Sequence, residues 1–250
     1  MTRIFFTLFF IVTALIPPAQ SETLQVLTAG AFKQVVQDMV PEFEQRTGHK
    51  VLISNDTAGN LTRRIEQGES FDVVISTPTA LKALSQKNLL LPESMVDLAR
   101  VGVGVAVRRG QPRPALNDVD DFIRALKAAN KIAYIDPTSG GSSGIYLQGL
   151  FRQLNLEPVL SGKAVLVKGG LVAEKLVTGE ADLAIHQISE ILAVSGADLV
   201  GPLPPSIQNY TNYAGAQSQQ TRNAEAGRLF LATFASPQAT RIMQNKGLER

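Results

Sequence analysis

Several turns in this sequence set glycine beside hydroxyl-bearing or very small residues, a combination suited to holding an anion. The richest is Asp136-Pro137-Thr138-Ser139-Gly140-Gly141-Ser142-Ser143-Gly144. Its glycines let backbone N–H groups come close to a ligand, and Ser139, Ser142 and Ser143 can donate where glycine cannot. Alone, such a run reads as a surface loop; its place between a strand pattern and a helix pattern makes it a candidate site. No lysine follows Gly144, so it does not match the phosphate-binding Gly-Lys-Ser/Thr loop. Lys168-Gly169-Gly170 places a cation beside two glycines. Ala29-Gly30-Ala31, Thr57-Ala58-Gly59 and the turn opened by Thr77 complete the set.

His186 and Gln187 follow a buried-strand pattern and should emerge at its carboxyl end. A histidine titrates near neutrality, so His186 is the candidate general base if the protein does chemistry. As a satisfied structural residue it would need no such role, and both readings stay open. The sequence holds two separated histidines and no cysteine, which is not a zinc-ligand pattern. No serine stands in a nucleophile-elbow sequence. No metal and no cofactor are expected.

These residues need elements to hold them. Residues 24–28 read as a strand, 32–47 as a helix with Phe32, Val35, Val36, Met39, Val40 and Phe43 at helical spacing, and 51–53 as a second strand. Pro41 marks a kink or a second short segment in that helix. A helix over 60–67 and a strand over 72–76 follow. The middle repeats the pattern: a long β-prone run over 101–107, a helix at 118–129, a strand at 131–135 and a helix at 145–154. A strand at 163–167, a helix at 171–178 and a strand at 183–185 come next. An extended, proline-containing stretch over 202–216 and helices at 223–235 and 237–245 close the chain.

Alternating strands and helices predict mostly parallel sheets flanked by helices. In such sheets ligands bind where strand ends meet helix N-termini, each carrying roughly half a positive charge. The expected fold class is α/β with two lobes. Residues 22–104 and 206–250 form lobe one and 105–205 form lobe two. Two crossing strands join them, and hinge closure over the cleft is the expected motion.

Residues 1–21 carry one arginine, a short apolar run over 4–16 and small residues at Ala19 and Ser21, the parts of a secretory signal peptide. Export to the periplasm is expected, with no disulfide and no cysteine for lipid attachment. The formal net charge of +2 over all 250 residues argues against a nucleic-acid-binding face. A monomer that does not insert stably into a membrane once the signal is removed is the expected form.

The chain resembles the periplasmic molybdate-binding proteins of ABC transporters, within the type II solute-binding fold. The residues that carry the resemblance are Phe43-Glu44-Gln45-Arg46-Thr47-Gly48, Arg64-Ile65-Glu66-Gln67-Gly68, Phe71-Asp72-Val73-Val74-Ile75-Ser76 and Val177-Thr178-Gly179-Glu180-Ala181-Asp182. The resemblance implies a small anionic ligand and an ABC permease as partner. The ligand positions depart from the family pattern. Ala29-Gly30-Ala31 and Thr57-Ala58-Gly59 stand where that family places serines, and Gln187 where it places a tyrosine.

A second resemblance rests on Ala106-Val107-Arg108-Arg109-Gly110, Ser143-Gly144-Ile145-Tyr146-Leu147 and Gln187-Ile188-Ser189-Glu190-Ile191. These are similar to a branch that includes a periplasmic aconitate isomerase. That resemblance implies a cofactor-free 1,3-proton shift in a tricarboxylate, with His186 or a nearby carboxylate as base. The first reading is a periplasmic solute-binding protein that captures a small carboxylate or oxyanion for uptake. The second is an isomerase on the same fold.

Overall fold

The computed structural model describes residues 21–250, so the expected signal sequence lies, Ser21 apart, outside the described residues. The chain opens with β1 (Thr23–Ala29), α1 (Gly30–Thr47), β2 (Lys50–Asp56), α2 (Ala58–Glu66), β3 (Val73–Ser76) and α3 (Pro78–Gln86). The apolar stripe of α1 is buried at Phe32, Val35, Val36, Met39 and Phe43, and the helix continues through Pro41 to Thr47. Gly48 ends it at φ 76°, its N–H bonded to the Glu44 carbonyl, a backbone shape that a Cβ would disfavour. A helix not anticipated above, α3, starts with Thr77 as its cap and Pro78 in its first turn.

The middle comprises β4 (Val96–Arg108), α4 (Val119–Ala128), β5 (Ile132–Ile135), α5 (Ser142–Gln153), α6 (Glu157–Leu160), β6 (Ala164–Val167) and α7 (Glu174–Val177). After these come β7 (Leu183–Gln187), α8 (Ile188–Leu192) and β8 (Ala197–Pro202), and the chain closes with β9 (Tyr210–Gln217), α9 (Ala224–Thr233), α10 (Pro237–Asn245) and β10 (Leu248–Glu249). The helix expected over 171–178 contracts to α7. Gly170 enters at φ 85°, and Val172 and Ala173 are folded into the core before the helix begins.

Two ladders share β4. On one side the order is β2-β1-β3-β9-β4, with β1 parallel to β2 and β3 and β9 antiparallel to β3. On the other it is β4-β7-β5-β6, with β5 parallel to β6 and β7. β4 pairs with β9 over Val96 to Gly102 and with β7 over Val103 to Ala106, so it passes from one sheet to the other at Val103. The return passes the same point. Val103 N–H donates to the Asn209 carbonyl at 3.3 Å, and its carbonyl accepts from Leu203 N–H at 3.0 Å. The Gln208 amide grips the same residue, accepting from its N–H at 3.0 Å and donating to its carbonyl at 2.9 Å.

Each side has its own core. One gathers residues from Leu24 to Val101 and from Tyr213 to Leu248, with Phe32 edge-on to Phe234 at 5.5 Å and Phe43 edge-on to Phe230 at 5.1 Å. Truncating such a ring costs about 3–5 kcal/mol. The other gathers residues between Val103 and Ile207. The result is two mixed α/β lobes flanked by helices, hinged where β4 and the return segment meet. β1, β2 and β3 run parallel in one and β5, β6 and β7 in the other, while β4, β8, β9 and β10 pair antiparallel, so the expectation of mostly parallel sheets holds only for those inner strands.

Candidate functional site

The strand ends of both lobes face one another across the hinge, and the helices that follow them finish their N-termini in two ways. α2 and α3 are capped by their own hydroxyls: Asn60 N–H donates to Thr57 Oγ1 at 3.2 Å, and Ala80 N–H to Thr77 Oγ1 at 3.3 Å. α1 and α5 begin after Ala29 and Gly141 with no side-chain cap. Such ends leave backbone N–H groups and a partial positive charge for another partner.

The capped end of α2 meets the opposite lobe. Thr57 Oγ1 donates to the Ser139 carbonyl at 2.5 Å, and Gly59 N–H donates to the Gly140 carbonyl at 3.0 Å. The two backbones touch. A Cβ built on Gly59 would lie 2.7 Å from the Gly140 Cα, and one on Gly140 would lie 2.6 Å from the Gly59 Cα. Gly140 also has φ 76°, so both space and conformation require glycine there.

The uncapped ends open on a small, partly open cavity of about 30 Å³, bounded by Gly30 and the turns of α2, α5 and α8. That is room for about two water-sized centres, so a larger ligand is enclosed only with the lobes further apart. Among the described residues, the ionisable side chains on its wall are Asp56, His186 and Glu190, with neither lysine nor arginine. Asp56 is held in the α2 turn, accepting from Thr57 N–H at 2.8 Å and Asn60 Nδ2 at 2.6 Å. Wider grooves open elsewhere. One of about 540 Å³ runs beside Arg113, Leu116 and Tyr210, and one of about 460 Å³ beside Asp72 and Asn223. The small cavity is the candidate because the uncapped N-termini of α1 and α5 converge on it.

Its floor is a buried pair. β7 ends at Gln187 and α8 starts at once, which returns residue 190 to the side of residue 186. His186 Nε2 lies 3.3 Å from Glu190 Oε2, and the two residues are 2% and 8% exposed. Burial pulls the His186 imidazole down to about 3 and pushes the Glu190 carboxyl up to about 8, with Lys33 opposing the second shift. Near neutrality the pair therefore holds one proton, on the carboxyl, and both groups are uncharged. His186 Nδ1 is buried with no hydrogen-bond partner among the described residues.

Neighbouring groups complete the floor. Gln187 Nε2 donates to Thr211 Oγ1 at 2.9 Å, and Gln187 Oε1 is an unpartnered acceptor among the described residues. Tyr213, from β9, stands near Ser142, and burial, with Glu190 nearby, pushes its phenol far above the usual tyrosine range. Ser189 Oγ donates to the Ala31 carbonyl at 2.8 Å and ties α8 to the start of α1.

Of the residues singled out in the sequence, Gly30, Thr57, Ala58, Ser142, Ser143, Gly170, His186 and Gln187 reach the cavity wall. Ala29 and Ala31 are buried behind it. Gly59 and Ser139 serve the contact between lobes, and Thr77 caps α3. Gly144 is packed so that a Cβ would lie 2.4 Å from the Ile135 carbonyl oxygen, which makes its glycine a requirement of helix–strand packing. Gly169 lies near Asp56 Oδ1. Lys168 is exposed and off the wall. Glu190 and Asp56 were not singled out as site residues. An acid four residues after His186, set among the apolar residues Ile188, Ile191 and Leu192, was the signal for Glu190.

The family profile described as bacterial extracellular solute-binding protein matches residues 24–249. An aconitate isomerase from Pseudomonas sp is 32% identical over 243 residues, covering 95% of this chain and 91% of that protein. The molybdate-binding protein ModA of Escherichia coli (strain K12) is 25% identical over 234 residues, covering 92% and 90%. The solved periplasmic molybdate-binding protein of Azotobacter vinelandii superposes with a TM-score of 0.75 at 21% identity, over 91% of this chain and 99% of that one. This last likeness shows the fold, a two-lobed type II solute-binding architecture.

Proposed function

The chain belongs to the family of bacterial extracellular solute-binding proteins, and on that premise we propose that it captures a small organic carboxylate between its lobes in the periplasm and hands it to an ABC permease. In this reading residues 1–21 direct export, and residues 22–104 with 206–250 close against 105–205. The observation that carries it is the convergence of the uncapped N-termini of α1 and α5 on one small cavity between the lobes. Backbone N–H groups at helix starts are ready anion donors. The departures from the molybdate pattern at Ala29, Gly30, Ala31 and Gln187, and the carboxyl of Glu190 on the wall, favour a carboxylate over a tetrahedral metal oxyanion. A melting-temperature panel tests this. Ligand at 100 times its Kd adds about 2.7 kcal/mol, so one of citrate, trans-aconitate or malate should raise Tm while molybdate leaves it unchanged. A shift with molybdate alone would overturn the choice of carboxylate.

A second reading, an isomerase, is favoured by the His186–Glu190 contact and by the likeness to an aconitate isomerase. A 1,3-proton shift removes a proton from the methylene carbon, delocalises the electron pair over three carbons and returns a proton to the far alkene carbon. The neutral imidazole can accept and the protonated carboxyl can return, leaving the pair with the single proton it started with. Proton NMR of trans-aconitate with the protein, followed for hours, tests it: new cis-aconitate signals support turnover, and their absence removes this reading.

A further inference from the structure

We propose that Glu190 selects the ligand of this cleft: seated over the first turn of α1, its carboxyl donates a hydrogen bond to the incoming carboxylate, so that anion and proton bind together. The proposal rests on the reading that the cavity between α1 and α5 takes a carboxylate.

Position is the first support. Glu190 Oε1 lies 2.4 Å from the point that a Cβ on Gly30 would occupy, so the carboxyl sits against the uncapped start of α1. An anion drawn to those N–H groups meets Glu190 at once. Ser189 holds this arrangement through its bond to the Ala31 carbonyl.

Charge is the second. Among the described residues, the cavity wall carries no lysine or arginine to offset a second negative group. An ionised Glu190 would repel a carboxylate, whereas the acid form offers a donor to it, and hydrogen bonds to an ionised acceptor are the stronger kind.

The groups facing Glu190 are few. Lys33 on α1 favours its ionised form, and burial outweighs that pull. His186 on β7 is the contact at 3.3 Å and is uncharged near neutrality. Tyr213 on β9 keeps its phenolic proton well beyond that range. Asp56, from the end of β2, adds a second carboxyl to the wall. Glu190 is thus the group whose charge changes on the alkaline side of neutrality, at about 8.

Isothermal titration of trans-aconitate into the protein, in buffers of different ionisation heat, provides the test. The affinity should be level below pH about 8 and fall about tenfold per pH unit above it. At pH about 9 the buffer dependence should show close to one proton taken up per ligand bound. Glu190→Gln keeps a donor at the same place and should bind with an affinity independent of pH. If that variant does not fold, the wild-type proton count decides alone. Binding by the wild type without proton uptake at pH about 9 would overturn the proposal and leave the carboxylate site standing. No heat with trans-aconitate, citrate or malate at any pH would overturn the site reading, and the proposal with it.

Discussion

The N-termini of α1 and α2 stand side by side at the ends of the paired parallel strands β1 and β2, yet they are finished differently. Thr57 satisfies the start of α2 with its own oxygen and sends its proton across the cleft to Ser139. Ala29 supplies nothing to α1, and the group placed over that helix end is Glu190, from the far side of the hinge region. On the proposed reading, one turn latches the lobes and the other is left open for an anion. A self-capped end has less potential left for a ligand, because one of its four free N–H groups is already paired with its own side chain. On that reading, the difference between Ala29 and Thr57 separates closing from binding at neighbouring strand ends.

The largest expected effect comes from blocking the latch. Gly59→Val drives a side chain into the Gly140 backbone, where even a Cβ would lie 2.7 Å from the Cα. Overpacking of this kind costs about 1–3 kcal/mol, which corresponds to about 5- to 150-fold in affinity. Because the clash is between lobes, the unliganded Tm should barely move while the ligand-induced rise in Tm shrinks. A large fall in the unliganded Tm would show that the contact belongs to the fold of one lobe.

The floor of the site should leave its mark on stability against pH. Glu190 titrates at about 8 when folded, against 4.5 for a free carboxyl. Between those values the folded state keeps a proton the unfolded state has lost, so stability falls as pH rises. His186 titrates at about 3 when folded, against 6.5, so between those values the unfolded state gains a proton and stability falls as pH drops. The two slopes, each about 1.4 kcal/mol per pH unit, cancel where they overlap. This pair contributes a plateau over about pH 4.5–6.5, and a decline from there to about 8. Urea unfolding across that range should show the decline in the wild type and lose it in Glu190→Gln.

Smaller effects sharpen the contrast. Thr57→Val removes both the α2 cap and the donor to Ser139, a loss of about 1 kcal/mol, which lowers Tm by about 2–4 °C. Thr57→Ser should retain most of it. Lys168→Ala should change ligand affinity and stability by no more than about 0.5 kcal/mol, because that side chain is exposed and off the cavity wall. A tenfold loss of affinity there would bring Lys168 back into the site.

The two-lobed α/β fold was legible because β3, β5 and β7 are continuous apolar runs and the turns between elements are short. The crossing at Val103 was half legible. The β-prone run pointed to it, but the grip of Gln208 on its backbone needs residues 105 positions apart. In the site, the small residues of the first two turns and His186 stood out by type. Glu190 did not, because its role comes from the fold setting it over Gly30 and from burial that keeps its proton. Gly144 shows a packing need that its loop alone does not reveal: a glycine in a Gly/Ser loop suggests ligand approach, and here it also clears the Ile135 carbonyl.

The central claim, that the uncapped helix ends are the anion site, is open to one direct measurement: amide chemical shifts in a ¹⁵N–¹H spectrum as trans-aconitate is added. The account predicts the largest shifts at Gly30, Ala31, Ser142 and Ser143, with Thr79 and Ala80 at the self-capped α3 unmoved. Shifts centred instead on Leu116, Asn117 and Tyr210, in the wider groove, would contradict it.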